Sequence, residues 1–458
     1  MTVDRLAWGY RWRSSPLFVR TTATLSLFSE TFLFGFVVPI LPYMLETRLH
    51  VNPARTQTVT TALLTIYGVV SLISTPIFAH FFDKIPSRKI PLLLSLTACT
   101  SGTVLVAWAP TLWVFLTGQI LQSVASASVW VVAFATLADN VTGENKGKVM
   151  GTAMSVVMTG VFAGPMLSGT LLRLLGYWAA WSGALFLLAL DILFRLLMID
   201  TRSASVKTTA ATPTEPDSES DEHTGLLRDT NSSHSDSDQD SNNPSFYRIM
   251  LTTPQVLAAL INTLALTLLL CAFDTTLPLH VRDAFNWDSL PVGLIFLALQ
   301  APSVLLGPVV GLLRDRVGLR YPTTFGWAIL APLLVTLGID DKTIYIVSIV
   351  GIGFALAFIR GAGAFQMMSI IHTLESQNQH LFGPYGGNSR LSALTEVPYT
   401  MGMILGPLVA GSVTETVGYF WLNCLLSGIS VLVAGMTATF LTAGAGGMEM
   451  ERNLERDG

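Results

Sequence analysis

Charge is scarce in this chain. Asp, Glu, Lys and Arg make up 12% of 458 residues, while 51% are hydrophobic and the mean hydropathy is +0.56. A soluble domain carries about 25% charge, so an ordinary soluble globule is excluded. The formal net charge is only −4 and no basic block stands out, which argues against nucleic acid as a partner. Cysteine is scarcer still. Cys99, Cys271 and Cys424 each lie alone in an apolar run, which leaves no disulfide framework and no CxxC-type metal site. They read as small apolar packing residues. There is no GxxxxGK[ST] phosphate loop, so neither ATP nor any other cofactor is expected. The opening stretch MTVDRLAWGYRWRSSP is polar and basic, and reads as a tail rather than a signal peptide.

What the chain does have is long apolar runs. They fall near 18–42, 58–80, 90–109, 112–138, 148–172 and 178–199, then near 253–280, 291–313, 322–339, 343–371, 389–412 and 418–441. A helix needs roughly 20 apolar residues to cross a bilayer core. The expected fold is therefore an all-α membrane protein of twelve transmembrane helices in two six-helix bundles, 18–199 and 247–441, embedded in lipid. The segment 200–246 between them contains TEPDSESDEH and SSHSDSDQDSNN. It has too little apolar surface to offset its ordering entropy, so a disordered linker is expected. The tails are 1–17 and 442–458. If both tails are cytoplasmic, only Arg48, Arg55, Arg173, Arg282 and Lys342 of the 26 lysines and arginines fall on the far side. The positive-inside rule favours that orientation.

The two halves repeat each other. The second run ends Ala79-His-Phe-Phe-Asp83-Lys84-Ile-Pro-Ser-Arg88-Lys89, and the eighth ends Gly311-Leu-Leu-Arg-Asp315-Arg316-Val-Gly318-Leu-Arg320. Each places an Asp four residues after a small residue, with basic groups around a turn. The small residue would let a neighbouring helix approach, and the charges would latch the cytoplasmic end shut. A second pair matches more closely. The fifth run has Gly160-xxx-Gly164-Pro165-xxx-Gly169, and the eleventh has Gly402-xxx-Gly406-Pro407-xxx-Gly411. Small residues four apart form a close-packing stripe, and each proline removes a backbone hydrogen bond and bends its helix. Parallel repeats of this kind suit a carrier that rocks around a central site.

At these residues the chain resembles the major facilitator superfamily: the loop after the second run is similar to that family's loop signature, and Gly160–Gly169 to its antiporter signature. Within the superfamily it looks most like the drug:H+ antiporter branch that includes vesicular amine transporters and fungal toxin and multidrug efflux transporters. Glu30 with Val38-Pro39-Ile40-Leu41-Pro42, Gly147-Lys-Val-Met-Gly151, Asp274-Thr-Thr-Leu-Pro278, Gly351-Ile-Gly-Phe-Ala355, and Glu396 ahead of Met401-Gly402 carry that likeness.

A charge at mid-bilayer costs roughly 2.5–3.5 kcal/mol on insertion scales, so each intramembrane charge is a functional candidate. Glu30, Asp274 and Glu396 match carboxylate positions of the amine transporters. The resemblance implies proton coupling for all three, since a buried carboxyl group can take a proton from one side and release it on the other. Asp191 precedes Arg195 by one turn and reads as an intrahelical pair. Two departures concern charge. Arg360 stands where those relatives have an acid, and Tyr67 where they have a lysine. Arg360 can neutralise Glu396 or Asp274, or bind an anionic group on a substrate. In the fourth run the antiporter pattern of Arg three residues before Gln is here Gln119 and Gln122, and Gln122 keeps its capacity to bind substrate. Asn262 and Tyr399 complete the candidate substrate contacts.

The expected function is that of a secondary transporter, not an enzyme: a monomeric, proton-driven antiporter that exports a small amphipathic organic molecule from the cytosol across the plasma membrane. Loading of a vacuole or vesicle is the alternative, supported by the acidic dileucine pattern Glu222-His-Thr-Gly-Leu226-Leu227. A non-transporting sensor is a further one, and flux separates it from the other two.

Overall fold

The computed structural model describes residues 10–83, 89–139, 146–199, 252–367, 370 and 388–441. The expected linker 200–246, the loop residue Arg88 and the C-terminal tail lie outside them. Twelve long helices run through the described residues: α1 (Pro16–Tyr43), α2 (Thr56–Asp83), α3 (Lys89–Ala107), α4 (Leu112–Asp139), α5 (Lys146–Leu175), α6 (Tyr177–Leu197), α7 (Pro254–Phe285), α8 (Ser289–Val317), α9 (Arg320–Leu337), α10 (Lys342–Ile359), α11 (Asn388–Thr416) and α12 (Tyr419–Phe440). Eleven of them are long and apolar enough to cross a membrane. The exception is α9, which spans 18 residues, opens Arg-Tyr-Pro-Thr-Thr and carries Pro332 inside.

Successive helices run in opposite directions, so Pro16 and Phe440 share one end of the bundle, called here the terminal end. The other is the distal end. Packing within one half is repeated in the other. α1 lies on α5 as α7 lies on α11, α3 on α4 as α9 on α10, α2 on α4 as α8 on α10, and α3 on α6 as α9 on α12. The two most extensive contacts between the halves, α5 with α8 and α2 with α11, are also a symmetric pair. One apolar core fills the second half around Phe273, Phe296, Trp327 and Tyr345. Another fills the distal part of the first half around Phe36, Phe115 and Trp181. Large apolar side chains also point outward, among them Leu94, Trp113, Phe186, Leu305 and Leu432. That surface suits lipid rather than water. Near the distal end the Trp108 and Trp178 rings pack at a tilt with centres 4.8 Å apart, and the Arg48 guanidinium lies 4.6 Å from the ring centre of Tyr177. Aromatic and basic side chains of this kind suit a headgroup layer.

The glycine stripes do two different jobs. A Cβ at Gly160 would meet the Phe28 carbonyl oxygen at 2.7 Å, and one at Gly164 would meet the backbone nitrogen of Phe36 at 2.8 Å. Both therefore hold α5 against α1. Gly402 and Gly406 hold α11 against α7 in the same way, facing the carbonyl oxygens of Leu264 and Leu268 at 2.9 and 2.7 Å. The third glycine of each stripe faces the other half. Gly169 abuts the Ser289 backbone of α8, and Gly411 abuts Thr61 of α2. Pro165 and Pro407 lie inside their helices between these contacts.

In this conformation the loop signatures form no latch among the described residues. Gly311 has open space where a neighbouring helix was expected, and Asp315 and Arg316 are exposed with no ion-pair partner among the described residues. Asp83 ends α2, and its side chain lies outside the description. The basic residues closing both loops clasp helices within their own half. Lys89 donates to the carbonyls of Leu196 and Met198 at 2.9 and 2.8 Å, and Arg320 donates to the carbonyl of Ala438. Cations at helix C-termini satisfy free carbonyls and complement the helix dipole, so these two residues tie α3 to α6 and α9 to α12.

Candidate functional site

The halves meet tightly at the distal end. Arg282 of α7 forms an ion pair with Glu46 at 2.6 Å, and the Thr56 hydroxyl donates to the same carboxylate at 2.8 Å. Thr58 donates to Glu415 at 2.6 Å, Gln57 to the carbonyl of Thr275 at 3.4 Å, and Arg173 pairs with Asp288 at 2.6 Å. Apart from the Thr56–Glu46 bond, which lies within the first half, each contact joins one half to the other. Toward the terminal end the only further polar contact between the halves, among the described residues, is Arg360 to the Met158 sulfur at 3.9 Å. Phe81, Leu312 and Phe365 are exposed on that side. Among the described residues, the polar contacts between the halves thus concentrate at the distal end.

This seal supplies a prediction. The Arg282–Glu46 pair is partly buried, so removing one charge costs about 1 kcal/mol of the distal-closed state, a shift of about fivefold in a two-state equilibrium. Spin labels at Ala54→Cys and Lys342→Cys read the distal separation. Glu46→Gln should enlarge the fraction with long distances, and an unchanged distribution would remove this pair from the gate.

Inside, α1 holds Glu30 midway along its length, 5% exposed. The carboxyl group receives the Cys99 thiol at 3.7 Å and a hydrogen bond from Ser126. Beside it is a cavity of about 20 Å³, lined by Glu30, Tyr67, Gln119, Gln122, Cys99 and apolar side chains of α1 and α2. That volume holds about one water molecule. The Gln119 carbonyl oxygen is buried there with no protein partner, and Gln122 donates to Thr103 at 2.9 Å. Tyr67 and Gln122 were expected to touch substrate. In this conformation they wall a compartment too small for an organic molecule.

Across the seam the second half gathers Asp274 of α7, Arg360 at the end of α10, and Glu396 and Tyr399 of α11. Tyr399 lies within electrostatic reach of Asp274, Glu396 and Arg360, and also of Tyr67. It is 43% exposed all the same, as a side chain facing an internal opening must be. Tyr67 packs with Cys271 and Met403 of the second half. The Glu30 compartment therefore adjoins the charges of the second half through two tyrosines.

The structure does not bring Asn262 to this opening. Its carbonyl oxygen accepts the Trp327 indole N–H at 2.8 Å, in the buried wall between α7 and α9. Asp191 and Arg195 are both fully buried and meet through α1: Ser26 donates to Asp191 at 2.8 Å, and Arg195 donates to Ser26 at 3.3 Å. This is a bridge between α6 and α1, not the simple intrahelical pair expected.

One feature was hidden in the sequence. The tenth apolar run reads as a single helix, yet α10 stops at Ile359 and helix resumes at residues 362–367. Gly361 has φ +75°, a left-handed conformation that glycine adopts without strain. Arg314 of α8 donates to the freed carbonyl of Phe358 at 2.6 Å. Backbone broken at membrane depth requires such a partner. Beyond the break Gly363 packs against the Ala259 carbonyl of α7, where a Cβ would come within 2.8 Å. The signal in the sequence was Arg360 followed by Gly361 and Gly363 inside an apolar run.

Two six-helix repeats, sealed at one end around a charged seam with a broken helix, define a transporter of the alternating-access type. The chain belongs to the Major Facilitator Superfamily, whose pattern matches residues 23–386. It is 31% identical to the uncharacterised MFS-type transporter C18.02 of Schizosaccharomyces pombe over 88% of this chain and 91% of that protein. It is 27% identical to the MFS-type transporter ppzB of Metarhizium rileyi over 95% and 97%. The synaptic vesicular amine transporter of Bos taurus is 22% identical over 80% of this chain and 63% of its own length. Among solved structures, the human organic anion transporter MFSD10 (TETRAN) shares the fold with a TM-score of 0.59 at 16% identity, covering 92% of this chain and 99% of its own.

Proposed function

We propose that this transporter is a proton-coupled antiporter that moves a small amphipathic organic molecule out of the cytosol, with both termini cytoplasmic. The observation that carries the reading is Glu30, a carboxyl group buried at the middle of α1 beside a mainly apolar cavity of water size that Tyr67, Gln119 and Gln122 also line. Such a site can hold and pass a proton while excluding organic solutes. Asp274 and Glu396 are the coupling carboxylates of the second half, and the opening lined by Tyr399 and Arg360 takes the substrate. The resemblance of the carboxylate positions to the drug:H+ antiporter branch implies proton exchange as the energy source. The similarity to vesicular amine transporters supports an internal membrane as an alternative to the plasma membrane. On this reading the distal seal lies on the side away from the cytosol.

The test is substrate-driven proton movement in proteoliposomes, read with an internal pH dye across cationic, neutral and anionic amphipathic compounds. A compound that drives protons opposite to its own movement establishes antiport. Compounds that bind and cross without moving protons would replace antiport by uniport, and compounds that bind without crossing would favour a sensor.

A further inference from the structure

We propose that the substrate site is specific for an anionic group, and that Arg360, held by Gln300, is the residue that recognises it. This rests on the transporter reading above and adds the chemical class of its substrate. The guanidinium emerges from the break in α10, where Gly361 ends the helix and Arg314 of α8 secures the freed carbonyl. Its position is therefore set by backbone, not by a mobile side chain alone. One N–H donates to the Oε1 of Gln300, a residue of α8 that is 5% exposed. Another faces the Met158 sulfur of the first half at 3.9 Å, a weak acceptor. Nε is buried with no hydrogen-bond partner. Among the described residues no carboxylate lies within ion-pair distance of Arg360; Asp274 acts on it only at longer range.

A buried guanidinium whose role is packing is satisfied within its own half: Arg314 also keeps a buried Nε without a partner, but it secures a backbone carbonyl of the second half. Arg360 instead donates across the seam to the first half and to a neutral amide that orients it without neutralising it. Its donors lie at the seam between the halves, beside the accessible Tyr399. A planar oxyanion such as a carboxylate satisfies two guanidinium donors at once. The amphipathic body of such a ligand would lie along the apolar walls of the opening. Lysine here would keep the charge and lose the fork, so it should support weaker binding.

The test uses three fluorescent probes with pyrene as a common apolar body: 1-pyrenebutanoate, 1-pyrenebutanol and 1-pyrenemethylamine. Binding to the purified full-length protein is measured at equilibrium in detergent, with no gradient, for the wild type, Arg360→Gln, Arg360→Lys and Gln300→Leu. The expected result is that the butanoate binds the wild type at least about tenfold more tightly than the alcohol or the amine, one charged hydrogen-bonded contact. Arg360→Gln should abolish that preference, and Arg360→Lys and Gln300→Leu should reduce it. Equal binding of all three probes by the wild type, or preference for the amine, overturns the proposal even if a variant fails to fold. So does a preference that survives in folded Arg360→Gln. Proton flux is read separately in proteoliposomes. Anion preference without proton movement leaves this inference standing and removes antiport; proton exchange with the amine alone does the reverse.

Discussion

Glu30→Gln should lower substrate-driven proton flux by about 100-fold, the low end of what a positioned proton-transfer group contributes, with little loss of folded protein. The substitution is nearly isosteric and removes only the titratable oxygen. The Cys99 thiol and the Ser126 hydroxyl can still donate to the amide carbonyl, and Gln119 has an unused acceptor that the new N–H₂ can meet. Folding therefore leaves no buried polar group newly orphaned, which is the usual source of a large stability loss. What disappears is the exchangeable proton. Transport of the organic molecule down its own gradient should persist, because the Glu30 compartment has no room for that molecule. Parallel assays of proton flux and of downhill counterflow separate the two effects. If both vanish together while the protein remains folded, Glu30 contacts substrate directly and the compartment must open in another state. If neither changes, the coupling proton sits elsewhere, with Asp274 and Glu396 the next to test.

The second large effect contrasts two glycines of one motif. Gly164→Leu should abolish folding of the first half. The added side chain would run into the backbone of Phe32 and Phe36, and backbone in a packed helix pair cannot move aside. Overpacking of this kind costs on the order of 3 kcal/mol, a large share of the stability of most proteins. Gly169→Leu lies five residues further on and should behave differently. Its neighbours, Ser289 and Gly293, belong to α8 in the other half. The halves can relieve the clash by parting at the distal end, as alternating access already requires. Gly169→Leu should therefore purify in near-normal yield with its distal separation shifted to long distances, read by the Ala54 and Lys342 labels. Gly164→Leu should appear mainly as aggregate on size exclusion. The assignment of the stripe's two jobs fails if Gly169→Leu unfolds as readily as Gly164→Leu, or if it keeps the distal end closed. Gly406 and Gly411 offer the same comparison in the second half, with Thr61 as the distal neighbour.

These contrasts show how far the sequence reaches. Length and hydropathy were enough for the twelve helices, because roughly 20 apolar residues crossing hydrocarbon must satisfy their backbone internally and do so as helix. The matching Gly-Pro motifs were enough for two related halves. Glu30, Asp274, Arg360 and Glu396 were conspicuous because charge is expensive in apolar runs. All of this is local: each signal lies within one helix or in the comparison of two.

The sequence alone did not decide what each signal faces. A stripe of glycines announces a close approach without saying to which helix, so Gly164 and Gly169 look alike until α1 and α8 are set beside them. Asn262 seemed as suitable a ligand contact as Tyr399, until the rotation of α7 turned it toward Trp327. The break at Gly361 depends on Arg314, 47 positions earlier, reaching Phe358. The distal seal joins Glu46 to Arg282 across 236 positions of chain. Helix formation is decided by neighbours in sequence; partner choice is decided by how twelve preformed helices rotate and tilt to fill a common interior, and no single segment carries that information.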